Sequence, residues 1–182
     1  MRDVRIDMPT CVREIIEVLE NAGFEAFAVG GCVRDAVLGR IPADWDITTS
    51  ATPLETKALF ARTFDTGIEH GTVTVLLDKD AFEVTTYRVD GKYEDSRHPS
   101  EVTFTRNLRE DLLRRDFTIN AMAFSLNQAD FGRLVDPFQG VRDLQYRIIR
   151  TPLEPSITFS DDPLRMLRCI RFATQLQFSI ED

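Results

Sequence analysis

Gly30 and Gly31 interrupt the chain where one periodicity gives way to another, and that junction limits the folds open to it. Before them, "EAFAV" (Glu25 to Val29) reads as a strand; after them, "CVRDAVLG" reads as a short helix stopped by Gly39. Upstream, Val12, Ile15, Ile16 and Leu19 recur at helical spacing between Pro9 and Asn21, and Gly23 closes that helix. Downstream, a polar turn leads into the strand "DWDITTS", then into a helix from Pro53 to about Arg62 with Thr52 at its N-cap. "TVTVLLD" and "FEVTTYR" are rich in β-formers and meet at Lys79-Asp80, which predicts an antiparallel hairpin. A small mixed sheet flanked by helices is expected for the first half, an α+β arrangement.

The second half alternates polar and periodic stretches. Between Arg88 and Leu108, "VDGKYEDSRHPSEVTFTRN" lacks sustained periodicity and is long for a connection, which suggests a mobile functional loop. A helix resumes in "LREDLLRRD", and "RLVDPFQGVRDL" reads as a connector punctuated by Pro and Gly. "DDPLRMLRCIRFATQLQF" reads as an amphipathic helix with Leu164, Leu167, Ile170 and Leu176 on its apolar side.

Composition excludes several classes of function. With 182 residues and 43% hydrophobic content the chain can build one domain and begin another. No apolar run is long enough to span a bilayer, and "MRDVRIDMPT" has no signal-peptide block, so a cytoplasmic protein with no membrane partner is expected. Cys11, Cys32 and Cys169 are odd in number and far apart, against both a disulfide framework and a zinc site. His70 and His98 are the only histidines, so any metal is expected on oxygen ligands. The net charge of −8 weighs against nucleic-acid binding by bulk electrostatics. Lys57, Lys79 and Lys92 are the only lysines among 22 basic residues; the arginine preference suits phosphate recognition, and a GC-rich genome gives the same bias.

Three acids stand out. Alternation along "DWDITTS" points Asp44 and Asp46 one way and Trp45 and Ile47 into the core. Side-by-side carboxylates are stabilised when a divalent cation bridges them, although a solvated strand end accounts for the same spacing. Asp78 and Asp80 repeat the spacing in the hairpin turn, where surface chemistry suffices. The Gly30-Gly31 turn ahead of a helix either seats an anion or serves as a tight turn. Glu83, between Phe82 and Val84, is an acid in an apolar strand, costly unless paired. If its strand neighbours "DWDITTS", three carboxylates converge near the glycines.

"VGGCVRDAVLGRIPADWDITTSATP", "RRDFTINAMAF" and "DDPLRMLRCIRFA" together resemble the successive motifs of the tRNA nucleotidyltransferase and bacterial poly(A) polymerase family, within the polymerase-beta-like nucleotidyltransferase superfamily. The resemblance runs from Phe27 to Phe178. It implies a nucleotidyltransferase head over residues 1–150 and the start of an all-helical neck over 151–182. It implies that Gly30, Gly31 and Arg34 hold a triphosphate and that Asp44 and Asp46 bind two Mg²⁺ ions, with Glu83 as the supporting carboxylate. Arg114, Arg115, Asp116 and Asn120 match the motif that contacts the incoming nucleotide and its ribose, and Arg168 and Arg171 match further nucleotide contacts.

Asp162 and Arg165 carry a physical argument for specificity. Three residues apart, they are expected on one helix face, a carboxylate acceptor beside a guanidinium donor. Cytosine and adenine both present an exocyclic amine next to an unprotonated ring nitrogen and so complement the pair; uracil and guanine would set like against like. A plain i,i+3 salt bridge near a helix start is the alternative. The family usually has Glu-Asp where this chain has Asp161-Asp162. "TGIEHGTVTVLL" resembles the members that add CCA to the 3′ end of tRNA from CTP and ATP, and "RVDGKYEDSRHP" resembles the flexible loop of enzymes able to add the terminal A. An A-adding enzyme, a poly(A) polymerase, and a nucleotide-binding fragment without activity of its own are the alternatives.

Overall fold

The structure is a computed structural model that describes residues 6–91, 102–126 and 132–182. Its elements run α1 (Thr10–Asn21), β1 (Ala26–Val29), α2 (Gly31–Val37), β2 (Asp46–Thr49), α3 (Pro53–Leu59), β3 (Thr63–Gly67), β4 (Thr72–Leu77), β5 (Asp80–Thr86), β6 (Arg88–Asp90), β7 (Val102–Phe104) and α4 (Leu108–Leu113). They continue with β8 (Ala123–Ser125), β9 (Leu134–Val135), α5 (Gly140–Tyr146), β10 (Ile148–Ile149), α6 (Pro155–Asp161), α7 (Leu164–Leu176) and β11 (Ser179–Ile180).

Seven strands form one mixed sheet in the order β3-β4-β5-β2-β1-β8-β9. β2 runs parallel to β5 and every other pairing in that sheet is antiparallel. The register sets Ala28 beside Ile47, Ile47 beside Val84 and Val84 beside Val73, so one face carries an unbroken apolar row. Val12, Ile15, Ile16 and Leu19 of α1 are fully buried in the cluster that includes Ala28, Ile47 and Val84. Fully burying such an aliphatic side chain contributes about 1.5–3 kcal/mol, so this face anchors the fold. α3 begins with the expected cap: Thr52 and Glu55 form a reciprocal capping box and Pro53 opens the first turn.

On the other face, Val29, Leu112, Ala121 and Ala123 form a second small cluster under α4, which covers only one end of the sheet. Asp46, at the start of β2, is exposed on that face. Glu83 is exposed there, so the burial penalty expected for an acid in an apolar strand does not arise.

Several elements differ from the sequence reading. The hairpin turn is Asp78-Lys79, because Leu77 pairs with Asp80 and Asp78 takes a positive φ of 54°. The stretch read as a long loop begins and ends in paired strands, β6 against β7; residues 92–101 between them lie outside the described residues. The supposed connector "RLVDPFQGVRDL" contains β9 and most of α5. Local punctuation misled there, since Asp136 accepts from the amides of Gly140 and Val141 and so holds the turn that starts α5. In α7 the buried residues are Cys169, Phe172 and Leu176, whereas Leu164, Leu167 and Ile170 are exposed. The packed face is chosen by Phe172, whose ring stands edge-on to Phe117 at 5.8 Å.

Candidate active site

Gly30 takes φ 83° and its amide donates to the Met122 carbonyl at 3.1 Å, tying the turn between β1 and α2 to the segment that enters β8. A Cβ at Gly30 would stand 3.2 Å from Nη1 of Arg115, so glycine is needed both for the left-handed backbone and for the arginine lying over it. Gly31 has no such demand.

Asp44 lies just before β2, which starts at Asp46; Trp45 and Ile47 are buried as alternation predicts. The pairing of Ile47 with Val84 sets Asp46 and Glu83, one position earlier on each strand, on the same open face. Asp44, Asp46 and Glu83 border one depression. Among the described residues, however, no group of three Asp, Glu, His or Cys side chains is assembled to hold a metal ion. Surrounding protein raises Asp46 above the ordinary carboxylate range; Arg115 opposes the shift and the charge of Asp44 adds to it. Two hard carboxylates, one disfavoured in its charged form, fit a divalent cation. Burial pushes the nearby Cys32 thiol up to about 11, so it stays protonated and offers no thiolate ligand.

Asp46 also borders a second opening. A cleft of about 590 Å³ is lined by Gly30, Gly31, Arg34, Asp46, Arg114, Arg115, Asp116, Asn120, Asp162, Arg165, Arg168, Arg171, Phe172 and Gln175. Pockets of roughly 300–1,000 Å³ take ligands of nucleotide size. Its arginines outnumber its aspartates, which gives a positive lining in a chain of net charge −8.

A continuous hydrogen-bonded chain crosses the floor of the cleft. Arg34 Nη1 donates to Asn120 Oδ1 at 2.8 Å, and Asn120 Nδ2 donates to Asp116 Oδ1 at 3.0 Å. Asp116 also accepts from the Phe117 amide at 2.8 Å and, through Oδ2, from Arg168 Nε at 2.8 Å. The guanidinium carbons of Arg34, Arg168 and Arg171 lie 5.1, 5.5 and 4.9 Å from the centre of the Phe172 ring.

Asp162 and Arg165 both line the cleft, but not as neighbours on one helix face. Asp162 is extended, two positions ahead of α7, and its Oδ1 accepts from the Leu164 amide at 3.0 Å. Its Oδ2 stands 3.9 Å from Arg165 Nε, and Arg165 Nη2 donates to the Arg114 carbonyl at 2.9 Å. Pro163 breaks the helix between α6 and α7, and the bond from the Leu164 amide to Asp162 replaces helical spacing as the cause of their proximity.

Two contributors were missed from sequence. Asp111 is fully buried and bonded to both Arg114 and Arg115; an acid three and four positions ahead of an Arg-Arg pair was the available signal. Phe172 stands four positions after Arg168, where it reads simply as a core residue.

Residues 26–150 match the family described as the poly A polymerase head domain. The chain belongs to that family. Among relatives of this head domain, the CCA-adding enzyme of Lactobacillus helveticus is 53% identical over 168 residues, which is 92% of this chain and 41% of that protein. The Bacillus stearothermophilus CCA-adding enzyme in complex with CTP superposes with a TM-score of 0.85 at 42% identity, covering 96% of this chain and 42% of that one. The Thermotoga maritima CCA-adding enzyme complexed with tRNA_CCA gives 0.80 at 31% identity, covering 99% and 41%. The chain thus spans less than half the length of the relatives it matches. The mixed sheet flanked by helices is the expected head fold, and no described helix is long and apolar enough to cross a membrane.

Proposed function

We propose that this chain is the catalytic part of a template-independent RNA nucleotidyltransferase that adds CCA to the 3′ end of tRNA, taking CTP and ATP as substrates. One observation carries the reading: Asp46 is a shared wall between the arginine-lined cleft and the depression bordered by Asp44 and Glu83. A triphosphate held in the first opening would have its reacting phosphorus beside the carboxylates, with the second opening free for an incoming RNA end. CCA-adding relatives, one solved with CTP and one with tRNA_CCA, support the same assignment.

Residues 1–150 form the catalytic head in this proposal, and 151–182 begin a helical neck that lends Asp162, Arg165, Arg168 and Arg171 to the nucleotide site. Gly30, Gly31 and Arg34 receive the triphosphate, Arg114, Arg115, Asp116 and Asn120 orient the nucleotide and its ribose, and Asp162 with Arg165 reads the base. The 3′-hydroxyl oxygen of the RNA attacks the α-phosphorus in line, and the bond to pyrophosphate breaks as the new ester forms. Family membership implies a divalent cation; we assign two Mg²⁺ ions to Asp44 and Asp46, supported by Glu83, where they would supply activation of the hydroxyl and charge neutralisation of the triphosphate. The cytoplasm is the proposed compartment, consistent with three free thiols at Cys11, Cys32 and Cys169.

The test is incubation of the chain with MgCl₂, tRNA lacking its CCA end and labelled CTP or ATP supplied separately. Extension by C, then by A on the C-extended product, supports CCA addition; use of ATP with CTP ignored points to A-only or poly(A) synthesis. Nucleotide binding with no extension by either would overturn catalysis by this chain.

A further inference from the structure

Asp111 is an ionised group with no exposed surface, and its partners come from three parts of the fold. From α4 and its end, Arg114 donates from Nε at 3.0 Å to Oδ1, with Nη2 at 2.9 Å, and Arg115 Nη2 donates to Oδ2 at 3.3 Å. From β2, Thr48 Oγ1 donates to Oδ2 at 3.1 Å. From the start of β6, the Arg88 amide donates to Oδ1 at 3.4 Å. Thr48 lies two positions after Asp46, hence on the same face of β2. Arg115, held at one end by Asp111, lies over Gly30, its Nη1 3.2 Å from where a Cβ would stand, and carries a buried Nε–H without a hydrogen-bond partner among the described residues. A buried donor of that kind in a cleft wall is a place for a ligand oxygen.

We propose that Asp111 is a positioning residue that sets the spacing between the carboxylates of β2 and the arginine pair of the nucleotide cleft. Thr48 registers it against the strand that presents Asp46, and its two oxygens divide Arg114 from Arg115 so that neither guanidinium turns onto Asp46 and occupies the cation site itself. This deepens the proposed function and rests on it. Arg115 and Asp46 attract one another, so without a competing carboxylate the arginine has a nearby anion to collapse upon. Asp111 supplies that competitor from behind, and the charges remain apart and available to a triphosphate.

The experiment is calorimetric titration of CTP and ATP, with MgCl₂, into the chain and its Asp111→Asn and Thr48→Val variants, well below each melting temperature. Asp111→Asn keeps the shape and removes the charge; affinity should fall about tenfold or more, by the same factor for both nucleotides, since the base-reading residues are untouched. Thr48→Val should weaken binding in the same sense by a smaller factor and keep the fold. Melting temperature lowered with affinity unchanged in Asp111→Asn would reduce Asp111 to a structural residue and overturn the proposal. Should Asp111→Asn fail to fold, Thr48→Val decides: unchanged affinity overturns it and a loss supports it. Absence of CTP and ATP binding by the unmodified chain overturns the proposed function and this inference together, whereas intact binding with no effect of either variant overturns the inference alone.

Discussion

Arg168 and Asp116 meet across 52 positions of sequence, Nε at 2.8 Å and Nη2 at 2.7 Å from a single carboxylate oxygen. This pair fastens α7 to the end of the segment that follows α4, on opposite sides of the nucleotide cleft. Arg168 is half exposed, so the pair contributes little to stability, about 1 kcal/mol or less. Arg168→Ala should therefore leave the melting temperature nearly unchanged while nucleotide affinity drops, as titration calorimetry would measure. A large loss of stability with intact binding would contradict this placement.

Asp46→Asn should make the protein more stable and inactive. The folded state raises the Asp46 pKa through burial and the charge of Asp44. A raised carboxyl favours folding fully below its unfolded pKa, near 3.9, and that contribution is lost as pH rises through the folded value. At pH 7 the wild type carries the unfavourable charge and the amide does not. Thermal melts at pH 7 should show the variant higher, and added MgCl₂ should raise the melting temperature of the wild type alone.

Acid unfolding should report Asp111 with the opposite sign. Burial pushes its pKa up, but Arg115 and Arg114 outweigh burial and hold it below the ordinary value. Its stabilisation is present above the unfolded pKa, near 3.9, and disappears as pH falls through the folded value. Melting temperatures followed downward from pH 6 should fall more steeply in the wild type than in Asp111→Asn.

The two glycines of the turn should separate in mutagenesis. Gly30→Ala forces a side chain into a left-handed backbone and against Arg115, a loss of about 1–2 kcal/mol together with weaker nucleotide binding. Gly31→Ala meets only Arg34 Nη2 at 3.7 Å, ordinary contact, and should fold normally in a denaturant titration.

Asp162→Asn should relax base selection. An amide offers both a donor and an acceptor where the carboxylate offers only acceptors, so UTP and GTP lose part of their mismatch. Incorporation assays with each nucleotide should show discrimination falling about tenfold, the scale of one satisfied buried hydrogen bond.

Periodicity made the apolar faces legible without coordinates. Val12, Ile15, Ile16 and Leu19 had to cover a sheet, Trp45 and Ile47 had to point inward, and Thr52 with Pro53 had to start a helix, because each follows from side-chain direction or local hydrogen bonding. The motifs also carried the family and every residue lining the cleft except Phe172 and Gln175. Spacing failed for Leu164, Leu167 and Ile170, which have helical periodicity but face away from the head, since an apolar stripe does not say which neighbour it will meet. The cost expected for Glu83 did not arise, because exposure depends on whether a helix covers that end of the sheet.

Sequence alone determined α1 to α3, the strands β1, β2, β4 and β5, the glycine turn and the chemistry of the acids and arginines, all of which depend on neighbours within a few residues. Tertiary structure decided which of them face one another: β2 beside β5, Asp111 bonded to Thr48 across 63 positions, and Asp116 gripped by Arg168. Such contacts arise from packing distant segments around a shared core, and their geometry is set by the whole sheet rather than by any run of residues within it.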